Sequence, residues 1–150
     1  MDDVKMGSIL KERYLDKEYE TASWKEIASA PVSAISGVSK QDGEDLKEAF
    51  GIGTIRDLAL NKYVLLAHGI NSFSKASGVI FDKTFNSNEY EELRKKPVNV
   101  IVGISETDAA LLKRAFGVDT IQELAENKFV GIAQTITTLG LLEEMASRMS

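Results

Sequence analysis

Apolar residues recur along this chain at the three- and four-residue spacing of a helix face. Leu46, Ala49 and Phe50 form one such set, and Leu112, Ala115 and Phe116 form another. No segment of useful length alternates apolar and polar residues in the manner of a half-buried strand, so the pattern predicts an all-α fold.

The pattern also repeats. Shifted by 66 positions, residues 31–70 meet 97–136 without a gap, and 20 of those 40 positions are identical. What the copies share is structural. Ser39 and Ser105 suit helix N-caps, with Asp42 and Asp108 three residues on as in a capping box. Gly51 and Gly117 suit the left-handed position after a helix. Thr54 and Thr120 read as the next caps, and Asn61 and Asn127 as closures of the short helices between.

Each unit is therefore expected to hold helices equivalent to 24–29, 31–35 (Pro31 at its first position), 40–50, 55–60 and 62–73, with unit two starting near 88. Trp24 and Tyr90 fall at matching sites and are expected to anchor the first helix of each unit. The predicted organisation is an extra N-terminal helix over 1–18, unit one over 19–77, a packed connector over 78–86 and unit two over 87–150. The extra helix would turn Val4, Ile9, Leu10, Tyr14, Leu15 and Tyr19 inward. Leu141, Leu142, Met145 and Met149 suggest a last amphipathic helix.

Composition changes the picture mainly by exclusion. The chain has 150 residues, 43% of them hydrophobic, no Cys and one His. Disulfides, thiolate chemistry and Cys-held metals are excluded, as are imidazole triads. His68 aligns with Gln134, so the scaffold does not need it. Carboxylate groups such as Glu89, Glu91 and Glu92, or Asp42, Glu44 and Asp45, match no calcium loop, and no metal or cofactor is implied. Gly51-Ile52-Gly53 lacks the third glycine and the lysine of a nucleotide loop. Net charge is −5, with 7 basic and 8 acidic residues over 19–85 and 7 and 10 over 86–150, so neither half is a basic module. The opening residues lack a secretory pattern, and the longest apolar runs, such as Val100–Ile104, are far shorter than a membrane span. These features lead to the expectation of a cytoplasmic protein that is not an enzyme.

Gly37-Val38-Ser39 and Gly103-Ile104-Ser105 sit at helix junctions, followed by Leu-Lys-x-Ala and then Gly-aliphatic-x-Thr-Ile-x-x-Leu. These motifs resemble the helix-hairpin-helix superfamily, closest to its SAM-like members. Ser105–Leu124 is similar to the C-terminal domain of the bacterial RNA polymerase alpha subunit and to the N-terminal domain of RecA-like recombinases. The resemblance implies a hairpin whose amides hold a phosphate. The candidate residues in this chain are Gly37, Val38, Ser39, Lys40 and Lys47 in unit one, and Gly103, Ile104 and Ser105 in unit two. The chain departs from that pattern where the hairpin's second glycine is Ser39 or Ser105 and where the family's following Arg is Gln41 or Thr107, and its two copies differ in that Glu106 stands opposite Lys40. The expectation is a protein-binding or self-associating module, with nucleic-acid binding through the unit-one hairpin as the alternative.

Overall fold

A computed structural model describes residues 3–80 and 88–149. Among them there are α-helices, short 3-10 turns and three isolated β-bridges, but no strand. The helices are α1 (Asp3–Tyr14), α2 (Trp24–Ala28), α3 (Lys40–Phe50), α4 (Ile55–Leu60), α5 (Lys62–Ile80), α6 (Asn88–Arg94), α7 (Glu106–Phe116), α8 (Ile121–Glu126) and α9 (Lys128–Met149). The sequence α2, 3-10 turn, α3, α4, α5 recurs as α6, 3-10 turn, α7, α8, α9.

Local chemistry sets the helix ends. The Ser39 hydroxyl accepts the Asp42 N–H, and the Asp42 carboxylate accepts the Ser39 N–H, both at 3.0 Å. Ser105 and Asp108 do the same at the head of α7. Thr54 and Thr120 start α4 and α8 with equivalent reciprocal bonds to Asp57 and Glu123. Gly51 and Gly117 end α3 and α7 at φ of +70° and +69°, where an L side chain is strained. Pro31 precedes its 3-10 turn, Val32–Ala34, rather than opening a helix. Asn61 and Asn127 do more than close the short helices. Their backbones leave the helical region, and their side chains accept the first N–H groups of α5 and α9.

That one-residue break has a large consequence. It turns α5 away from α4 and α9 away from α8, so neither long helix folds back over its own half. Instead α9 packs on α2 and α4, and α5 packs on α6 and α8, while α3 and α7 cross each other between the halves. Each long helix thus completes the other half's core. That core includes Ile27, Ile35, Leu46, Ile55, Leu58, Val98, Leu112, Ile121, Leu124 and Val130, all nearly inaccessible. Within each half, Pro31 bridges to Thr54 and Pro97 to Thr120, closing the loop around the α3 or α7 hairpin.

Three details differ from the sequence expectation. The long helix of the first half runs to Ile80, so residues 78–80 belong to α5. The rest of the expected connector, 81–86, lies outside the described residues. The last amphipathic helix is no separate element but the end of α9, and Leu141, Leu142, Met145 and Met149 face solvent there. Finally, of the apolar residues at the N-terminal end, Leu15 is buried and Tyr19 half-buried, but Ile9 and Tyr14 are exposed. The backbone explains why Leu15 goes in. Asp16 N–H donates to Ala34 and Ser36 N–H to Tyr14, both at 2.9 Å, and the bridge between Leu15 and Ile35 draws this segment onto the first half.

Candidate functional site

The two hairpins come first. Gly37 (φ +96°) and Gly103 (φ +102°) both need glycine's conformational freedom, and each is faced by an aromatic ring from the opposite long helix. A Cβ on Gly37 would stand 3.2 Å from the Phe129 ring, and one on Gly103 would press on the Tyr63 phenol. Val38 and Ile104 are buried in the core beneath. Ser39, Lys40, Lys47 and Ser105 are exposed.

The chemistry at these hairpins is already balanced. A phosphate would compete for the N–H of Ser39 or Ser105, which the carboxylate of Asp42 or Asp108 holds. The anion-favouring end of each helix therefore carries an anion of its own. The cation that both copies carry on the helix after the hairpin, Lys47 or Lys113, is also committed in one of them, since Lys113 pairs with Asp119 at 3.3 Å. Lys40 remains as a cation beside the unit-one hairpin, with Glu106 at its counterpart.

A groove opens beside hairpin one, sharing Ser36 with it. It holds about 660 Å³ and lies between the end of α1, Trp24 of α2 and the first half of α9. Leu10, Leu15, Ile132, Ile136, Leu139 and the Trp24 ring make it mainly apolar. Arg13 and Lys128 are the charged residues that line it. Lys11 stands 4.8 Å over the Trp24 ring, a further cation at its margin. The α9 floor is narrow in side chain at Gly131 and Thr135, and the Thr135 hydroxyl is turned back onto the Gly131 carbonyl at 2.9 Å. Sequence reasoning missed this groove, since its lining comes from four separated stretches. One signal was present: Gly131 and Ser36 break the repeat, standing opposite Leu65 and Val102.

Several titratable groups elsewhere are engaged in structure. Asp45, only 1% exposed, accepts from Arg114 Nε at 2.9 Å and Nη2 at 2.5 Å, and from the Gln41 amide at 2.9 Å. These bonds hold its carboxyl down at about 2, the Arg114 bonds contributing most. Glu91 is likewise lowered to about 2, first by Arg94 and then by Ser74 and Lys95. Arg94 also donates to Asn71, and Lys75 pairs with Glu126. These pairs tie α3 to α7, and α5 to α6 and α8. No cluster of three or more His, Asp or Glu among the described residues is arranged to hold a metal ion, and no described helix is long and apolar enough to cross a membrane.

No protein-family model, curated protein or solved structure matches the chain.

Proposed function

We propose that this chain is a non-enzymatic protein-interaction module built from two helix-hairpin-helix-like units. One observation carries the reading. Large apolar side chains stand on the outward surface of both long helices, Leu65 and Leu66 at 47% exposure and Leu141 and Leu142 at 52% and 51%. The carboxylates at the hairpins support it, because they sit where the superfamily's nucleic-acid binders would take a phosphate. Net charge points the same way, since binding to nucleic acid rests on released counterions and hence on free cations.

Two measurements on the full chain test this reading together. Anisotropy of a labelled random duplex at physiological salt is expected to give a dissociation constant weaker than about 10⁻⁶ M, beyond ordinary nonspecific binders. Display of random peptides against the folded chain is expected to recover binders that bury apolar anchors. A submicromolar duplex complex that survives both added salt and Lys40→Glu would overturn the reading, and so would a failure to recover any peptide.

A further inference from the structure

The two halves differ at residues that floor and edge the groove beside hairpin one. The face of α5 that corresponds to the groove floor carries Leu65 and Leu66 where α9 carries Gly131 and Ile132, and the hairpin beside it carries Val102 where the first carries Ser36. Small floor residues often admit a close-packed neighbour, but this is not their use here. Gly131 and Thr135 are exposed, and nothing lies within 4 Å of the place a Cβ on Gly131 would occupy. The room is open, not filled by α1.

We infer that this groove is a docking site for an amphipathic helical peptide whose apolar anchors are flanked by acidic residues. The inference rests on the protein-binding reading above and adds to it a surface apart from the outward leucines, with the partner that fits it. Charge complementarity selects the acidic flank. Arg13 and Lys128 are the charged residues lining the groove, in a chain whose net charge is −5. Their positions at the N-terminal end of α9 and the C-terminal end of α1 place a cation on each bounding helix. Shape selects a helix. The groove lies among the end of α1, Trp24 of α2 and α9 and is open to solvent. An acyl chain lying there would stay partly in water, whereas an amphipathic helix presents its polar face to that side. Gly131 lets the backbone of such a helix approach, and Ile132, Ile136, Leu139 and Trp24 receive its anchors.

Trp24 is the sole tryptophan of the chain and lines the groove, so its emission reports occupancy directly. The probe is a short synthetic helix with leucines at i, i+4 and i+7 and glutamates at both ends, compared with the same helix ended by lysines. The glutamate form is expected to give a saturable shift of Trp24 emission, with the lysine form weaker by about tenfold or more. Gly131→Leu installs the residue that the other half carries at that place, in open space on a helix, and should abolish binding while the thermal melt is unchanged or raised. Lys128→Glu, on an exposed side chain, should weaken binding about tenfold without touching the core. Val102→Ala, at a side chain 95% exposed beside the second hairpin, should leave it unaltered. Equal affinity for both probes, no saturable response, or full binding by Gly131→Leu would each overturn the inference, as would a saturable response to decanoate with none to the peptide. Displayed peptides that bind the Gly131→Leu variant as well as the parent would leave the protein-binding reading standing and remove this groove as its site.

Discussion

The two long helices dock on opposite halves in equivalent pairings, α9 on α2 and α4 and α5 on α6 and α8, but with different chemistry. On one seam α9 meets α2 through Gly140, where a Cβ would lie 3.3 Å from the Lys25 Cα, so the backbones nearly touch. On the other seam the position of Gly140 is Ser74, whose hydroxyl donates to Glu91 at 2.7 Å. Around that bond stand Arg94 on Glu91 and Asn71, and Lys75 and Asn71 on Glu126. Their counterparts across the repeat are apolar or differently charged: Ala28 for Arg94, Leu60 for Glu126, Lys25 for Glu91. One seam is held by close approach, with the Lys25 N–H donating to the Glu143 carboxylate at 2.9 Å, and the other by a network of side-chain hydrogen bonds and ion pairs. Shared caps and core positions thus fix the path of the backbone, and the residues between them are free to choose how the helices adhere.

The same contrast runs through the centre. Asp45 on α3 meets Arg114 on α7, but the residues at the mirrored places are Leu111 and Glu48. A pairing of two identical first halves would bring Asp45 toward a second Glu48, so the ion pair belongs to the unlike combination.

The comparison breaks most severely if the halves are not interdependent. Leu58 and Leu124 are equivalent, 1% and 2% exposed, and each lies on a short helix covered by the other half's long helix. Truncation of either to Ala should cost about 2–5 kcal/mol, with similar values for the two. Urea melts followed by Trp24 emission and by far-ultraviolet circular dichroism should coincide in one transition. A plateau between two transitions would show halves that fold separately.

Next in size is the central pair. Arg114→Glu, which installs the other half's residue, removes the guanidinium from a buried carboxylate and sets a like charge beside it. The urea midpoint should fall clearly at pH 7. The pH dependence has a definite sign. Asp45 is depressed to about 2 in the folded protein, against an ordinary value near 3.8. Its stabilisation is therefore present above pH 4 and lost as pH falls toward 2. The gap between parent and Arg114→Glu should narrow over that window, and a gap independent of pH would assign the loss to packing.

The smallest effects separate the seams. Gly140→Val forces a side chain against the α2 backbone and should cost about 1–3 kcal/mol. Ser74→Ala removes one hydrogen bond from a network whose other members remain, and should cost about 0.5–1.5 kcal/mol. Measured by chemical denaturation, the reverse order would mean that the polar seam carries the assembly and the close one merely tolerates it.

What was legible in the sequence was local. Ser39 with Asp42, Thr54 with Asp57, and glycine at 51 and 117 lie within one helical turn of the groups they serve. The apolar spacing of α3 and α7 likewise follows from helix period alone, and the 66-residue register displays these features twice. The hairpin residues could be located in the same way, but the occupation of their amides by Asp42 and Asp108 took on functional weight only with the geometry. The destination of each helix was not legible. Asn61 and Asn127 break the chain for a single residue, and which surface α5 or α9 then meets depends on the shapes of helices far along the sequence. Asp45 finds Arg114 across 69 positions, Gly140 finds Lys25 across the two halves, and the groove is assembled from the end of α1, Trp24 and α9. Caps and periodicity are settled by hydrogen bonds and side-chain spacing within a few residues. The exchange of long helices, the two seams and the mainly apolar groove arise from packing between segments whose proximity only the folded chain creates.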